Sequence, residues 1–151
     1  MRGLLLSVKP VYAHALLDGR KTIEIRRKFP VQQSGTPIFI YASSPERQLL
    51  GTVRLDSIEL LEPDLVWEKH RSVIEIGRTA LSSYARGLDR LSLLRVGEPK
   101  VLSRPVSLSS MRSLARLEPP QSFRYLSEDQ QRVLLDAGEP VLEQVADLIA
   151  G

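Results

Sequence analysis

The stretch from Leu49 to Leu60 constrains the fold more than any other. Its apolar residues sit at odd positions at Leu49, Val53 and Leu55, then at even positions at Ile58 and Leu60. Neighbouring side chains of a strand face opposite sides, so this change of phase predicts a β-bulge near Asp56-Ser57. Bulges bend strands, as barrel corners require. The preceding run, "PIFIYASS" (37–44), is apolar at consecutive positions, the pattern of a central barrel strand with both faces covered.

Other segments supply the partners. Leu4 to Val8 is a short apolar strand, and Pro10 suits the first turn of a helix that runs to Asp18 and ends at Gly19. Lys21 to Arg27 alternates, with Ile23 and Ile25 on one face and Thr22, Glu24 and Arg26 on the other. Pro63 to His70 reads as a short helix, Arg78 to Arg86 as a second closed by Gly87, and Leu91 to Val96 as a further strand. The proline-punctuated run "PVSLSSMRSLARLEPPQSFRYL" reads as a loop with at most one helical turn before Pro119. Ser127 with Gln130 forms a capping box for a helix to Ala137. Gly138 ends it, and Pro140 begins another with an apolar stripe of Val141, Leu142, Val145, Leu148 and Ile149. The expected fold is α+β: a small barrel of about five strands with flanking helices and a C-terminal helical hairpin. Residues 1–126 would form the main domain and 127–151 a helical extension packed on it.

At 151 residues the chain can bury roughly 70% of its unfolded surface in one core. Cysteine is absent, which excludes disulfides, a thiolate nucleophile and every Cys-containing metal site, and favours a cytoplasmic setting. The opening "MRGLLLSVKPVYA" reads as a first strand rather than a signal peptide, and no run is apolar enough to cross a membrane. His14 and His70 are too isolated to suggest a metal site, and no phosphate-binding glycine loop or dinucleotide fingerprint occurs, so no cofactor is expected. The net charge of +3 is unevenly spread: residues 1–47 carry eight Lys/Arg against three acids, and residues 127–151 one Arg against six. That asymmetry suggests a basic surface with an anionic partner.

The basic surface centres on "GRKTIEIRRKF" (19–29). Glu24 and Arg26 share a strand face about 6.6 Å apart, and Lys21 stands at the strand's start, within reach of the same rim. A carboxylate between two cations orients them, so the group can combine hydrogen-bond readout with a phosphate contact. "YASSPERQ" (41–48) adds Tyr41, Ser43 and Arg47 at a strand exit, and "PPQSFRYL" (119–126) adds Gln121, Ser122, Phe123, Arg124 and Tyr125. Gln can pair with a base edge, an aromatic ring can stack on a base and Arg can take a phosphate. Phe123 serves equally well as a clasp that docks the terminal helices.

These stretches resemble a known family. "LLLSVKPVYAHALLDGRKTIEIRRKFP" is similar to the opening of ASCH domains of the PUA-like superfamily: a strand, K-P, a helix ending in Gly, then K-T-x-E-x-R. "IFIYASSPERQLLGTVRL" matches the strand pair that follows, and "PPQSFRYL" a C-terminal segment of one branch. The resemblance implies a cleft for RNA or a nucleotide, lined by Lys9, Lys21, Glu24 and Arg26 with Tyr41 and Ser43 beside them. Lys21, Arg26, Arg27 and Arg47 would contact phosphate, Glu24 and Gln121 a base, and Tyr41 or Phe123 would stack, with Ser122 and Arg124 nearby. The alternative it implies is a hydrolase of RNA or a modified nucleoside, with Lys21 and Glu24 catalytic. Some relatives are metal-independent ribonucleases, and one group deacylates N4-acetylcytidine with a Lys, a Thr three residues on and a Glu. Here Glu24 occupies that Thr position, and a carboxylate is a poor substitute for an activated hydroxyl. A third reading, a protein-interaction or dimer module, draws on the acidic C-terminal helices.

Overall fold

The computed structural model describes residues 2–139. In chain order the elements are β1 (Gly3–Val8), α1 (Pro10–Leu17), β2 (Ile23–Arg26), β3 (Pro37–Ala42), β4 (Gln48–Leu61), α2 (Pro63–Ile74), α3 (Arg78–Tyr84), β5 (Leu91–Ser107), α4 (Leu108–Ala115), β6 (Phe123–Leu126) and α5 (Glu128–Ala137). The six strands form one mixed sheet in the order β2-β5-β4-β3-β1-β6. Among the described residues, only the β1–β3 pairing is parallel. The α+β expectation holds, with six strands rather than about five. The sixth is Phe123–Leu126, which pairs antiparallel with β1 where a loop was expected.

The sheet curls into a half-barrel, and the irregularities of β4 show how. Register shifts interrupt the β4–β5 ladder between Leu49 and Gly51, Thr52 and Arg54, and Leu55 and Ser57. The last is the bulge that the phase change predicts. At Gly51 a side chain would run into the Lys100 carbonyl, so this close approach of the two strands requires glycine. β5 continues to Ser107, eleven residues past its expected end at Val96. Its distal half is mostly exposed and pairs with β4 alone, so no alternating apolar pattern marks it.

Three apolar clusters hold the layers together. Leu4, Leu6, Ile38, Ile40 and Leu55 fill the concave side with Ala13 and Leu16 of α1. Leu5, Phe39, Leu49 and Val106 pack on the other face against Met111 of α4 and Leu134 of α5. Ile23, Ile25 and Leu93 pack under Val66 and Ile74 of α2 and Leu81 of α3. Full burial of side chains of this size stabilises by about 1.5–3 kcal/mol each, so strands and helices are fixed together.

Local signals explain most helix ends. α1 starts with Pro10 and is followed by Gly19 at φ +85°, and the Ser127–Gln130 capping box of α5 is formed in both directions. α2 runs four residues past the expected His70, because Val66 and Ile74 both reach the core. α4 corrects the loop expected before Pro119. It is eight residues long, capped by Ser107 accepting from the Ser110 N–H at 3.1 Å and anchored by buried Met111 and Ala115, four apart. The helix expected from Pro140, and with it the second half of the hairpin, lies outside the described residues. Among the described residues, no helix is long and apolar enough to cross a membrane.

Candidate nucleic-acid interface

The curl brings the β2 edge of the sheet back toward β1 and β6, and a cavity of about 740 Å³ opens at this seam. It is lined by the end of β1 through Lys9, by Tyr12 of α1, Glu24 to Arg26 of β2, Tyr41 of β3, the turn from Ser43 to Arg47, and Tyr84 of α3. Leu108 and Arg112 of α4 and the Pro119–Gln121 segment close the far side.

Arg26 is the clasp across the seam. Its Nη2 donates to the Ser7 carbonyl at 2.9 Å and its Nη1 to Ser122 Oγ at 3.4 Å, so a residue of β2 ties down both β1 and the start of β6. Nε donates to Glu24 Oε2 at 3.0 Å, and Nη2 lies 2.8 Å from the same carboxylate. Beneath them, Lys21 is 0% exposed. Its ammonium donates to the Ile74 carbonyl at 2.6 Å and stands 3.4 Å from Glu24 Oε1. Burial pushes the Lys21 amine below its ordinary value, and the Glu24 carboxylate opposes that shift only in part. Lys21 therefore does not line the cavity, contrary to the expected phosphate contact. It anchors the end of α2 and holds Glu24 from below.

The opposite end is built differently. Tyr41 is 2% exposed, yet its hydroxyl makes no hydrogen bond to protein among the described residues. Among the described residues no buried side-chain polar atom lacks a partner, so that hydroxyl opens onto the cavity. Burial raises the phenol's pKa, while Arg47 and Arg112 pull it down less strongly, so Tyr41 is a neutral hydroxyl with two cations beside it. Arg47 adopts φ +51°, a conformation that costs a non-glycine residue roughly 1–2 kcal/mol. The turn holds it there: the Arg47 N–H donates to the Ser43 carbonyl at 3.4 Å, and the Arg47 carbonyl accepts from Leu108 at 3.1 Å. Arg112 is tied to Glu118 by a two-pronged pair at 2.8 and 3.0 Å. The side chains of Lys9 and Arg47 have no partner among the described residues.

Of the residues proposed from sequence, Lys9, Glu24, Arg26, Tyr41, Ser43, Arg47 and Gln121 share this cavity, with Ser122 at its edge through Arg26. Three others point elsewhere. Arg27 donates to the carbonyls of Tyr84 and Arg86 at 2.6 and 3.1 Å, so it closes the end of α3 rather than facing the cleft. Phe123 packs on Phe29 with ring centres 4.6 Å apart and joins the apolar cluster beside α1, so it lies outside the cavity and packs on the barrel's own cluster rather than on the terminal helices. Arg124, on the opposite face of β6 from Phe123, is exposed outside the cavity. Sequence reasoning missed Tyr12, Tyr84 and Arg112, which long-range packing brings in and which carry no local motif. His14 pairs with Glu46 at 2.8 Å, and His70 lies against Arg95. Among the described residues, no group of three or more His, Asp or Glu is placed to hold a metal ion.

The ASCH domain pattern matches residues 6–102, about two thirds of the chain. The protein belongs to the ASCH domain family. One ASCH relative, the ASCH domain-containing ribonuclease of Zymomonas mobilis, is 27% identical over 133 residues, covering 86% of this chain and 88% of that one. The crystal structure of ASCH from Zymomonas mobilis superposes with a TM-score of 0.84 at 24% identity, covering 89% of this chain and 94% of that one. Two further structures of that ASCH protein carry a tyrosine-to-phenylalanine and a serine-to-alanine substitution. The ASCH fold also matches human THYN1 protein, solved in complex with 5-methylcytosine-containing DNA, at a TM-score of 0.61 and 12% identity, covering 93% of this chain and 99% of that one.

Proposed function

We propose that the cleft binds single-stranded RNA at an unpaired nucleotide. The observation that carries this reading is the charge at the rim. Among the described residues, Lys9 and Arg47 face the cavity without protein partners, Arg112 joins them in the lining, and Glu24 is its only carboxylate. Unpaired cations converging on one cavity suit phosphate, which supplies most of the affinity in nucleic-acid binding. Glu24 and Gln121 offer hydrogen bonds to a base edge, and the rings of Tyr12 and Tyr84 offer flat apolar walls. The relative named a ribonuclease and the relative solved with DNA both support a nucleic-acid ligand.

One observation favours strand cleavage as a second reading. Tyr41 is a neutral phenol open to the cavity beside two guanidinium groups. Attack of a 2′-oxygen on the adjacent phosphorus releases the 5′-oxygen and passes the 2′ proton to water. The leaving oxygen needs a proton that Tyr41 can give, and Arg47 and Arg112 can stabilise charge on the phosphoryl oxygens. The substituted tyrosine and serine of the Zymomonas protein stand as far apart in sequence as Tyr41 and Ser122 do here, which supports the same pair.

Labelled single-stranded RNA at low salt tests both readings, with mobility and strand length followed together. Wild type is expected to retain RNA, and Arg47→Ala to weaken retention about tenfold, the loss of one charge-assisted contact. Tyr41→Phe is expected to retain RNA and, on the second reading, to lose strand shortening. Absence of retention by wild type at low salt would overturn the proposal.

A further inference from the structure

Gln121 and Ser122 lead from the cleft onto β6, and the chain around this edge lacks acids. No Asp or Glu occurs in residues 2–17, 25–45 or 119–127. The fold gathers the three segments. β6 pairs with β1 in the register Leu4 to Tyr125 and Leu5 to Arg124. Phe29 packs on Phe123, and Gln32 Nε2 donates to the Tyr125 hydroxyl at 2.9 Å. Arg2 holds its guanidinium 4.0 Å from the Tyr125 ring centre, exposed Arg124 stands on the opposite face of the same strand, and exposed Lys28 directly precedes Phe29 in the chain. None of the three cations has a carboxylate partner among the described residues. Tyr125 is 37% exposed.

We infer that the β6 edge continues the cleft as a track for single-stranded RNA. The inference rests on the reading of the cleft as an RNA site. A cavity of about 740 Å³ lies within the usual range for small ligands and so holds a nucleotide or two. A polymer seated there must leave over a rim, and at the seam the outgoing surface carries cations without carboxylate partners beside the half-exposed ring of Tyr125. That combination is how non-sequence-specific single-strand grooves are built: cations track the backbone and rings take bases. Arg2 and Lys28 would take phosphates on the Tyr125 side of the strand and Arg124 one as the backbone crosses its edge, with the exposed side of Tyr125 taking a base.

The test compares a fluorescent dinucleotide with a strand of about twelve nucleotides, a length within the usual span of such sites. Both are titrated over a range of salt concentrations against wild type and the triple variant Arg2→Gln, Lys28→Gln, Arg124→Gln. All three positions are exposed, where substitutions rarely disturb folding. The triple variant is expected to bind the dinucleotide as wild type does and to lose tenfold or more on the long strand. Its log-log salt slope should fall by about 2, from roughly 0.7 per phosphate contact removed. Removing Lys69, Arg90 and Lys100, exposed cations elsewhere, should leave that slope unchanged. An unchanged slope in the first variant, or an equal fall in the second, overturns the track while leaving the cleft standing. Failure of wild type to bind either RNA overturns the cleft reading and the track with it.

Discussion

At the floor of the cleft, Lys21, Glu24 and Arg26 are bonded to one another and to the protein, whereas at the rim the side chains of Lys9 and Arg47 have no partner among the described residues. The floor comes from the most densely charged stretch of the sequence and the rim from two sparsely charged ones. Charge density is thus a poor guide to which side chains the fold leaves free. A strand edge that must close a half-barrel needs polar fasteners, and a buried cation needs a carbonyl and a carboxylate wherever it lies. Free charge is found instead where a turn holds a single Arg out of the ladder, at the cost of a left-handed backbone.

The contrast is broken most directly at Glu24. Glu24→Ala is expected to cost about 3–5 kcal/mol of folding stability, because Lys21 would keep only the Ile74 carbonyl and Arg26 would lose its carboxylate. Urea denaturation reads this as a lower midpoint. A loss under about 1 kcal/mol, the range of an exposed ion pair, would show that the floor is not a structural unit. Pairing Glu24→Ala with Lys21→Met separates the two partners. The double variant is expected to be more stable than Glu24→Ala alone, since it no longer buries an unpaired ammonium.

How far this division was legible in the sequence depends on the range of the interactions involved. The bulge at Leu55–Ser57 was readable because burial on alternate faces writes itself into a local phase. Tyr41, Ser43 and Arg47 were readable because a buried strand that ends in a polar turn presents its last side chains at one rim. Lys21 was misplaced, although its odd position in phase with buried Ile23 and Ile25 was a signal that it faces inward. α4 was hidden because its serines and the flanking prolines outweigh a helix that rests on Met111, Ala115 and one Ser cap. Arg112 and Tyr84 could not be found locally, since only the packing of α3 and α4 across the seam brings them to the cavity.

A smaller effect on folding, and a larger one on binding, is expected at the rim. Lys9→Ala and Arg47→Ala should each change stability by no more than about 0.5 kcal/mol, as exposed side chains without partners do. Each should weaken RNA retention about tenfold, equivalent to about 1.4 kcal/mol. A comparison of denaturation midpoints with retention at fixed salt shows whether the two ends divide as argued. If Arg47→Ala loses stability as Glu24→Ala does, its side chain belongs to the fold and the contrast collapses.

The finest test uses pH, because the floor holds a buried amine and the rim does not. Burial lowers the Lys21 value below its usual 10.5, so between that lowered value and 10.5 the unfolded chain binds a proton that the folded chain does not. Stability then rises with pH through this window on account of Lys21. Below the window, the cost of burying the charged ammonium is fully present. The measurement is the denaturation midpoint of wild type minus that of Lys21→Met, followed from neutral pH up to 10.5. The difference should move in favour of wild type as pH increases, since every other titrating group is common to both proteins. A difference that stays flat would mean that Glu24 and the Ile74 carbonyl fully compensate the burial of the ammonium, and the floor would then carry no stored cost for its closed seam.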